Sequence, residues 1–297
     1  MPIDPLKKII ERQVQWAKNK GINLIGSKGE KGERVYTEKL EQNLFKPLRK
    51  EIEQHFNKGK GGELIGYPCK MQALHSSSAL AVNIFQYWMD EPYIIASVCS
   101  FCDKNQKVSE EIVFEKKCSI GLRGTPPHID VVIYNHPSWE FKRFAIEIKF
   151  TEPYQFKRRN INSKPYFSKQ YGINSNLKRD IWNEIPNLLA LAKAINSNEK
   201  VFTYLDATQL IKHILGLKRE WGKNGFKLLY LWYDLTDEQF KDVVTKHREE
   251  IEEFSSIAKA DGIHFSSMTI QELIRKLVET YKDEHQEYIK YLTERYL

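Results

Sequence analysis

One stretch constrains this chain more than any other: Phe144-Ala145-Ile146-Glu147-Ile148-Lys149-Phe150. Side chains alternate between the two faces of a β-strand. Phe144, Ile146, Ile148 and Phe150 therefore share a wholly apolar face. Ala145, Glu147 and Lys149 share the other. A strand of this kind belongs inside a sheet covered by helices. Burying a carboxylate and an ammonium there is costly unless something matches them. On an exposed strand the same pair would be an ordinary surface ion pair, so the surrounding sequence decides.

That surrounding sequence favours a site. Ile129 to Tyr134 is a second strand, entered through the turn Gly124-Thr125-Pro126-Pro127 and left through Asn135-His136-Pro137-Ser138. Asp130 opens it. If the two strands are neighbours, Asp130 meets Glu147 across the ladder, and two carboxylates and one ammonium converge. Unmatched carboxylates repel, so the arrangement calls for a cation. Oxygen ligands of this type suit Mg2+, with Mn2+ as a substitute. Such an ion polarises a phosphoryl oxygen and acidifies a bound water. Lys149 would serve that water and offset charge in the transition state.

The remaining elements frame these strands. Leu6, Ile9, Ile10, Val14 and Ala17 predict a first amphipathic helix over about 6–20. Residues 21–32 read as a Gly- and Lys-rich loop. Val35, Tyr36, Leu40, Leu44 and Leu48 recur at helical spacing, and Pro47 starts or kinks a helix carrying Ile52 and Phe56. A helix is expected over about 76–88, capped by a serine, then a short strand at 112–115. Further helices are expected over 179–195 and 204–217, and an apolar strand over 226–233. An acidic helix over about 237–257, a short strand near 263–265 and a last helix opened by the capping box Thr269-Ile270-Gln271-Glu272 complete the chain. The order helix, three strands, helix, strand predicts an α/β fold with a mixed sheet flanked by helices. The chain is expected to be a single domain over 1–297, with N-terminal helical residues 1–75, a core at about 76–233 and a C-terminal helical extension over 234–297.

Charge placement points to the partner. Between Lys142 and Arg179 lie ten basic residues against two acids, Glu147 and Glu152, so this window exceeds the whole chain's net charge of +7. A polyanion is the natural counterpart. Lys157, Arg158, Arg159, Lys164 and Lys169 are the expected phosphate contacts, interleaved with Tyr154, Phe156, Tyr166, Phe167 and Tyr171. No apolar run is long enough to cross a bilayer, and the N-terminal residues lack a secretory pattern. Four cysteines in 297 residues do not make a disulfide framework. A cytoplasmic setting with reduced thiols is the expectation, in preference to a zinc site built on Cys99-x-x-Cys102 with Cys69 and Cys118.

With these residues in view, the chain resembles the PD-(D/E)XK, or restriction endonuclease-like, nuclease superfamily. The match is Ile129-Asp130, a gap, then Glu147-Ile148-Lys149, with Ile129 in place of the motif's proline. More narrowly, His75-Ser76-Ser77-Ser78-Ala79-Leu80-Ala81-Val82-Asn83, Glu147 to Tyr154 and Tyr204 to Leu210 look like a bacterial branch of these proteins. The resemblance implies an αβββαβ core over roughly half the chain. It also implies an Mg2+-dependent endonuclease in which Asp130 and Glu147 hold metal and Lys149 serves the water. Many members add an acid from the first core helix. Residues 76–89 contain none, which leaves Glu63 or Glu115 as substitutes. In some branches a polar residue on the helix after the Glu-x-Lys strand contacts the water or phosphate, and Gln209 is the candidate here. It shares a helix face with His213.

Other features have plainer readings. Glu152 either binds a second metal through water or balances Arg158. His128, Asn135 and His136 faintly suggest a His-based nuclease, but the Asp-to-Glu-x-Lys pattern explains more. Glu249, Glu250, Glu252 and Glu253 read as a solvated helix face. The expected function is a restriction or genome-defence endodeoxyribonuclease acting on double-stranded DNA. The alternatives are a DNA repair nuclease, or a catalytically idle nucleic-acid-binding module on a nuclease fold. A homodimer is an allowed assembly, since restriction enzymes often act in pairs.

Overall fold

A computed structural model describes residues 4–29, 31–59, 61–122, 126–155 and 181–297. Its centre is a five-stranded mixed sheet in the order β3-β4-β5-β6-β7. The strands are β3 (Ser109–Lys117), β4 (His128–Asn135), β5 (Arg143–Lys149), β6 (Phe226–Trp232) and β7 (Phe265–Thr269). The first three form an antiparallel meander, and β5, β6 and β7 run parallel. Helices cover both faces, as the sequence predicts.

The alternation read from β5 is the one that holds. Phe144, Ile146, Ile148 and Phe150 are all buried. Together they contribute on the order of 8 kcal/mol of apolar burial. Phe144 stacks on Phe101, and Phe150 packs edge-on against Tyr233 and Tyr296. This face lies under α3 (Ser77–Phe85) and the short helix α4 (Pro92–Val98). The opposite face, carrying Glu147, meets α6 (Ala207–Trp221) and α7 (Lys241–Ala260), with α5 (Pro186–Asn196) packed on both of them. The close approach of α6 depends on Gly216. A side chain there would put its Cβ 2.5 Å from the Cys118 carbonyl oxygen at the end of β3.

The N-terminal region departs from the expected helical reading. After α1 (Pro5–Asn19), residues expected to be loop form a hairpin of β1 (Leu24–Lys28) and β2 (Lys31–Thr37). Val35 and Tyr36, expected at helical spacing, lie on β2. Only Leu40–Asn43 makes a single 3-10 turn before α2 (Lys50–Gly59). The glycines that suggested a loop instead build the ribbon. Gly29 and Gly32 take positive φ, and a Cβ at Gly26 would stand 2.0 Å from the Lys31 carbonyl oxygen.

Other boundaries shift for local reasons. The helix expected from 179 begins at Pro186, where the fixed φ of proline suits a first turn. Asp261, from the end of α7, accepts hydrogen bonds from the backbone N–H groups of Asn187 and Leu188 and so caps α5 from outside. The single last helix is two, α8 (Ile270–Tyr281) and α9 (Gln286–Tyr296). The Thr269–Glu272 capping box is present in both directions.

Glu250 is not on a solvated face. It is buried and accepts from the backbone N–H groups of Thr203, Tyr204 and Leu205 at 2.8–2.9 Å. Glu253 pairs with Lys200, while Glu249 and Glu252 are exposed.

Candidate active site

Strand register assembles the acids. Val131 pairs with Ile146, and continuing that register by one step sets Asp130 opposite Glu147. Phe114 pairs with Val131 and Lys116 with Ile129, so Glu115 falls opposite Asp130 on the next strand. Glu147 in turn lies beside Tyr230. Three carboxyl-bearing residues thus form one row across three adjacent strands. Lys149 is two residues along β5 on the same face. Glu115 has φ of +52°, an uncommon conformation for a residue inside a strand.

Each carboxylate is held differently. Glu147 is completely buried. Its Oε1 accepts from Lys149 Nζ at 2.5 Å, and its Oε2 lies 2.9 Å from His213 Nε2 on α6. The second contact is close but not aligned as a hydrogen bond, so Oε2 and both His213 nitrogens are buried without an aligned partner. Burial works against the charge on Glu147, but Lys149 and His213 outweigh it and hold the carboxyl down at about 2. Burial likewise opposes the charge on Lys149, and Glu147, Asp130 and Glu152 overcome it, so the ammonium is held more firmly than usual. Asp130 Oδ2 accepts from the Ile148 N–H at 2.7 Å. Burial and then repulsion from Glu147 push its carboxyl well above the ordinary range, against the opposing pull of Lys149. Burial, then Glu63 and Glu147, push Glu115 up to about 7.

Mutual crowding of this kind is what a divalent cation relieves. A fully buried carboxylate oxygen without an aligned donor, next to two acids whose charged forms are disfavoured by burial and by one another, fits a cation. Among the described residues, however, no group of three or more His, Cys, Asp or Glu side chains forms a ready metal cage.

The remaining expected residues distribute unevenly. On α6, the residue that reaches Glu147 is His213. Gln209 lies one turn earlier, where its backbone N–H donates to the N-cap Asp206. Helical spacing makes their shared face legible, but not which of the two reaches Glu147. Glu63 lies 3.5 Å from Lys70 and reaches the row through its charge on Glu115. Glu152 accepts from the N–H groups of Phe150 and Thr151 and closes the turn after β5. His128 Nδ1 lies 3.3 Å from Glu115 Oε2. His136 is in the exposed turn at the far end of β4, bonded to Ser138, so the histidines do not gather. The four thiols are free.

Of the basic run, Lys157, Arg158, Arg159, Lys164 and Lys169 lie outside the described residues. Lys142 and Arg143 are at the start of β5, away from the acids. There Arg143 lies over the Tyr134 ring at 3.7 Å. Tyr154 pins its segment to the core through a 2.8 Å bond to the Tyr233 carbonyl.

A five-stranded mixed sheet with helices on both faces and an acidic row on its central strands is a restriction endonuclease-like fold, and its activity is of the nuclease type. The family model described as restriction endonuclease associating with ARP matches residues 10–297, and the chain belongs to that family. No curated protein and no solved structure matches the chain. Among the described residues, no helix is long and apolar enough to cross a membrane.

Proposed function

We propose that the chain is a divalent-metal-dependent endonuclease that hydrolyses phosphodiester bonds of double-stranded DNA in restriction or genome defence. The observation that carries this reading is the row Glu115, Asp130 and Glu147 across three adjacent strands, with Lys149 beside it. A buried ion pair contributes little net stability, so the fold alone does not account for the cluster.

Asp130 and Glu147 are the residues that would hold Mg2+ or Mn2+. The bound ion would supply charge at the scissile phosphate and acidify a water. The chain's own groups do the rest. Lys149 donates to Oε1 of Glu147 and holds that carboxylate, with the His213 ring 2.9 Å from Oε2. The Lys149 ammonium also has donors to spare for a phosphate oxygen, where negative charge grows during attack. Glu115, with its carboxyl near 7, can carry a proton while Glu147 stays charged.

Incubation with plasmid, linear duplex and RNA, in EDTA, Mg2+ or Mn2+, tests this. Cleavage of duplex DNA should need the metal. Asp130→Asn and Lys149→Met should each lower its rate by about 100-fold or more while circular dichroism is unchanged. Cleavage that survives both substitutions would remove the chemistry from this site. Duplex binding without cleavage under any metal would make the chain an idle binding module.

A further inference from the structure

The β1–β2 hairpin takes no part in the acidic row. The hairpin is a sheet of its own, separate from the central five strands. Its base is fixed: the Leu74 N–H donates to the Val35 carbonyl at 2.9 Å, and Gln72 Nε2 donates to the Thr37 carbonyl at 2.8 Å. Its outer half is exposed at Ser27, Lys28, Lys31, Gly32, Glu33 and Arg34. The register sets Lys28 directly opposite Lys31, with Arg34 opposite Gly26. Like charges facing across a ladder are unfavourable, so the fold gains nothing from this lysine pair.

We propose that the β1–β2 ribbon is a duplex-DNA contact element that enters a groove of the substrate. The major groove admits a two-stranded ribbon. Strands of five and seven residues reach about 17 to 23 Å at roughly 3.3 Å per residue. Lys28, Lys31 and Arg34 then face phosphates on the groove walls, which relieves the repulsion between the lysines. The glycines keep the ribbon thin. This assignment rests on the nuclease reading of the acidic row and adds to it the place where duplex is gripped. Lysines on an open ribbon also deter edge-to-edge pairing of two chains, and the test separates the two roles.

The triple variant Lys28→Ala, Lys31→Ala, Arg34→Ala in the full chain is titrated against a labelled mixed-sequence DNA duplex in EDTA, by fluorescence anisotropy, over about 50 to 200 mM salt. The expected result is at least a tenfold loss of affinity. The slope of log affinity against log salt should become shallower by about 2 to 3, the loss of three phosphate contacts at roughly 0.9 each. Mn2+ binding, followed by calorimetry, should be unchanged. Lys31→Glu alone, at an exposed position, should also weaken duplex binding. Unchanged affinity and slope, with the parent chain still cutting duplex, overturns the ribbon's role and leaves the nuclease reading intact. So does unchanged binding accompanied by aggregation, which would assign the lysines to edge protection. A parent chain that neither binds nor cuts duplex overturns both.

Discussion

Glu115 shows how a single side chain reports on the charges around it. Its carboxyl is raised from an ordinary 4.5 to about 7 by burial and by the charges of Glu63 and Glu147. Below about 4.5 it carries a proton whether the chain is folded or not, so it costs nothing. As pH rises from 4.5 towards 7 the unfolded chain gives up this proton and the folded chain keeps it, so stability falls through that window and stays lower above it. Glu115→Gln removes the penalty. In EDTA the variant should melt at a higher temperature than the parent at pH 8 and match it near pH 4. An equal difference at both pH values would show that charge is not the cause. At this level the sequence was legible where a period of two applies. Asp130, Glu147 and Lys149 follow from alternation along two strands and the turn between them. Glu115 was one of two substitutes offered for a missing helix acid, and only strand register distinguishes it from Glu63. His213 could not be chosen over Gln209, because helical spacing gives a shared face and not the rotation of that face against a sheet.

The elements carrying these residues are tied down by buried carboxylates that no periodicity announces. Glu250 looked like one acid among several on a wet helix, yet it accepts three N–H groups from residues 203–205. Those residues lead into Asp206, the N-cap of α6, and from there to His213. Asp261 does the same for α5. Glu250→Gln replaces a charged triple acceptor with an amide that serves it poorly. A loss of about 2 kcal/mol in urea denaturation is expected, together with slower cleavage because α6 is less firmly seated. Cleavage at the parent rate in the destabilised variant would separate the loop from the chemistry. The strands and most helices were readable in type, but their ends moved where tertiary contacts supplied the cap. The hairpin was misread because its glycines signal a turn equally well in a loop or a ribbon.

Across the whole molecule the two ends of the chain close on each other. Arg295 on α9 is buried, and its guanidinium donates to the Asn43 carbonyl at 2.8 Å, to Asn43 Oδ1 and Tyr291 Oη at 2.5 Å, and to Gln13 Oε1 on α1 at 3.0 Å. Gln13 returns a bond to the Arg295 carbonyl at 3.0 Å. The Trp16 ring lies 4.1 Å from the guanidinium carbon. No composition or pattern argument joins residue 13 to residue 295. Arg295→Ala would leave several buried acceptors unmatched, at a cost of about 3 kcal/mol. Limited proteolysis should then loosen the first and last helices together, since the Arg295 side chain joins α9 to Gln13 of α1. Release of one end without the other would show that the clasp is not shared.

The glycine at 216 has a further meaning. With no side chain of its own, it lets α6 settle against the carbonyl of Cys118, and a methyl group there would push the helix off the sheet. His213 lies on the same helix three residues earlier, so Gly216→Ala would shift the imidazole away from the Glu147 carboxylate it flanks.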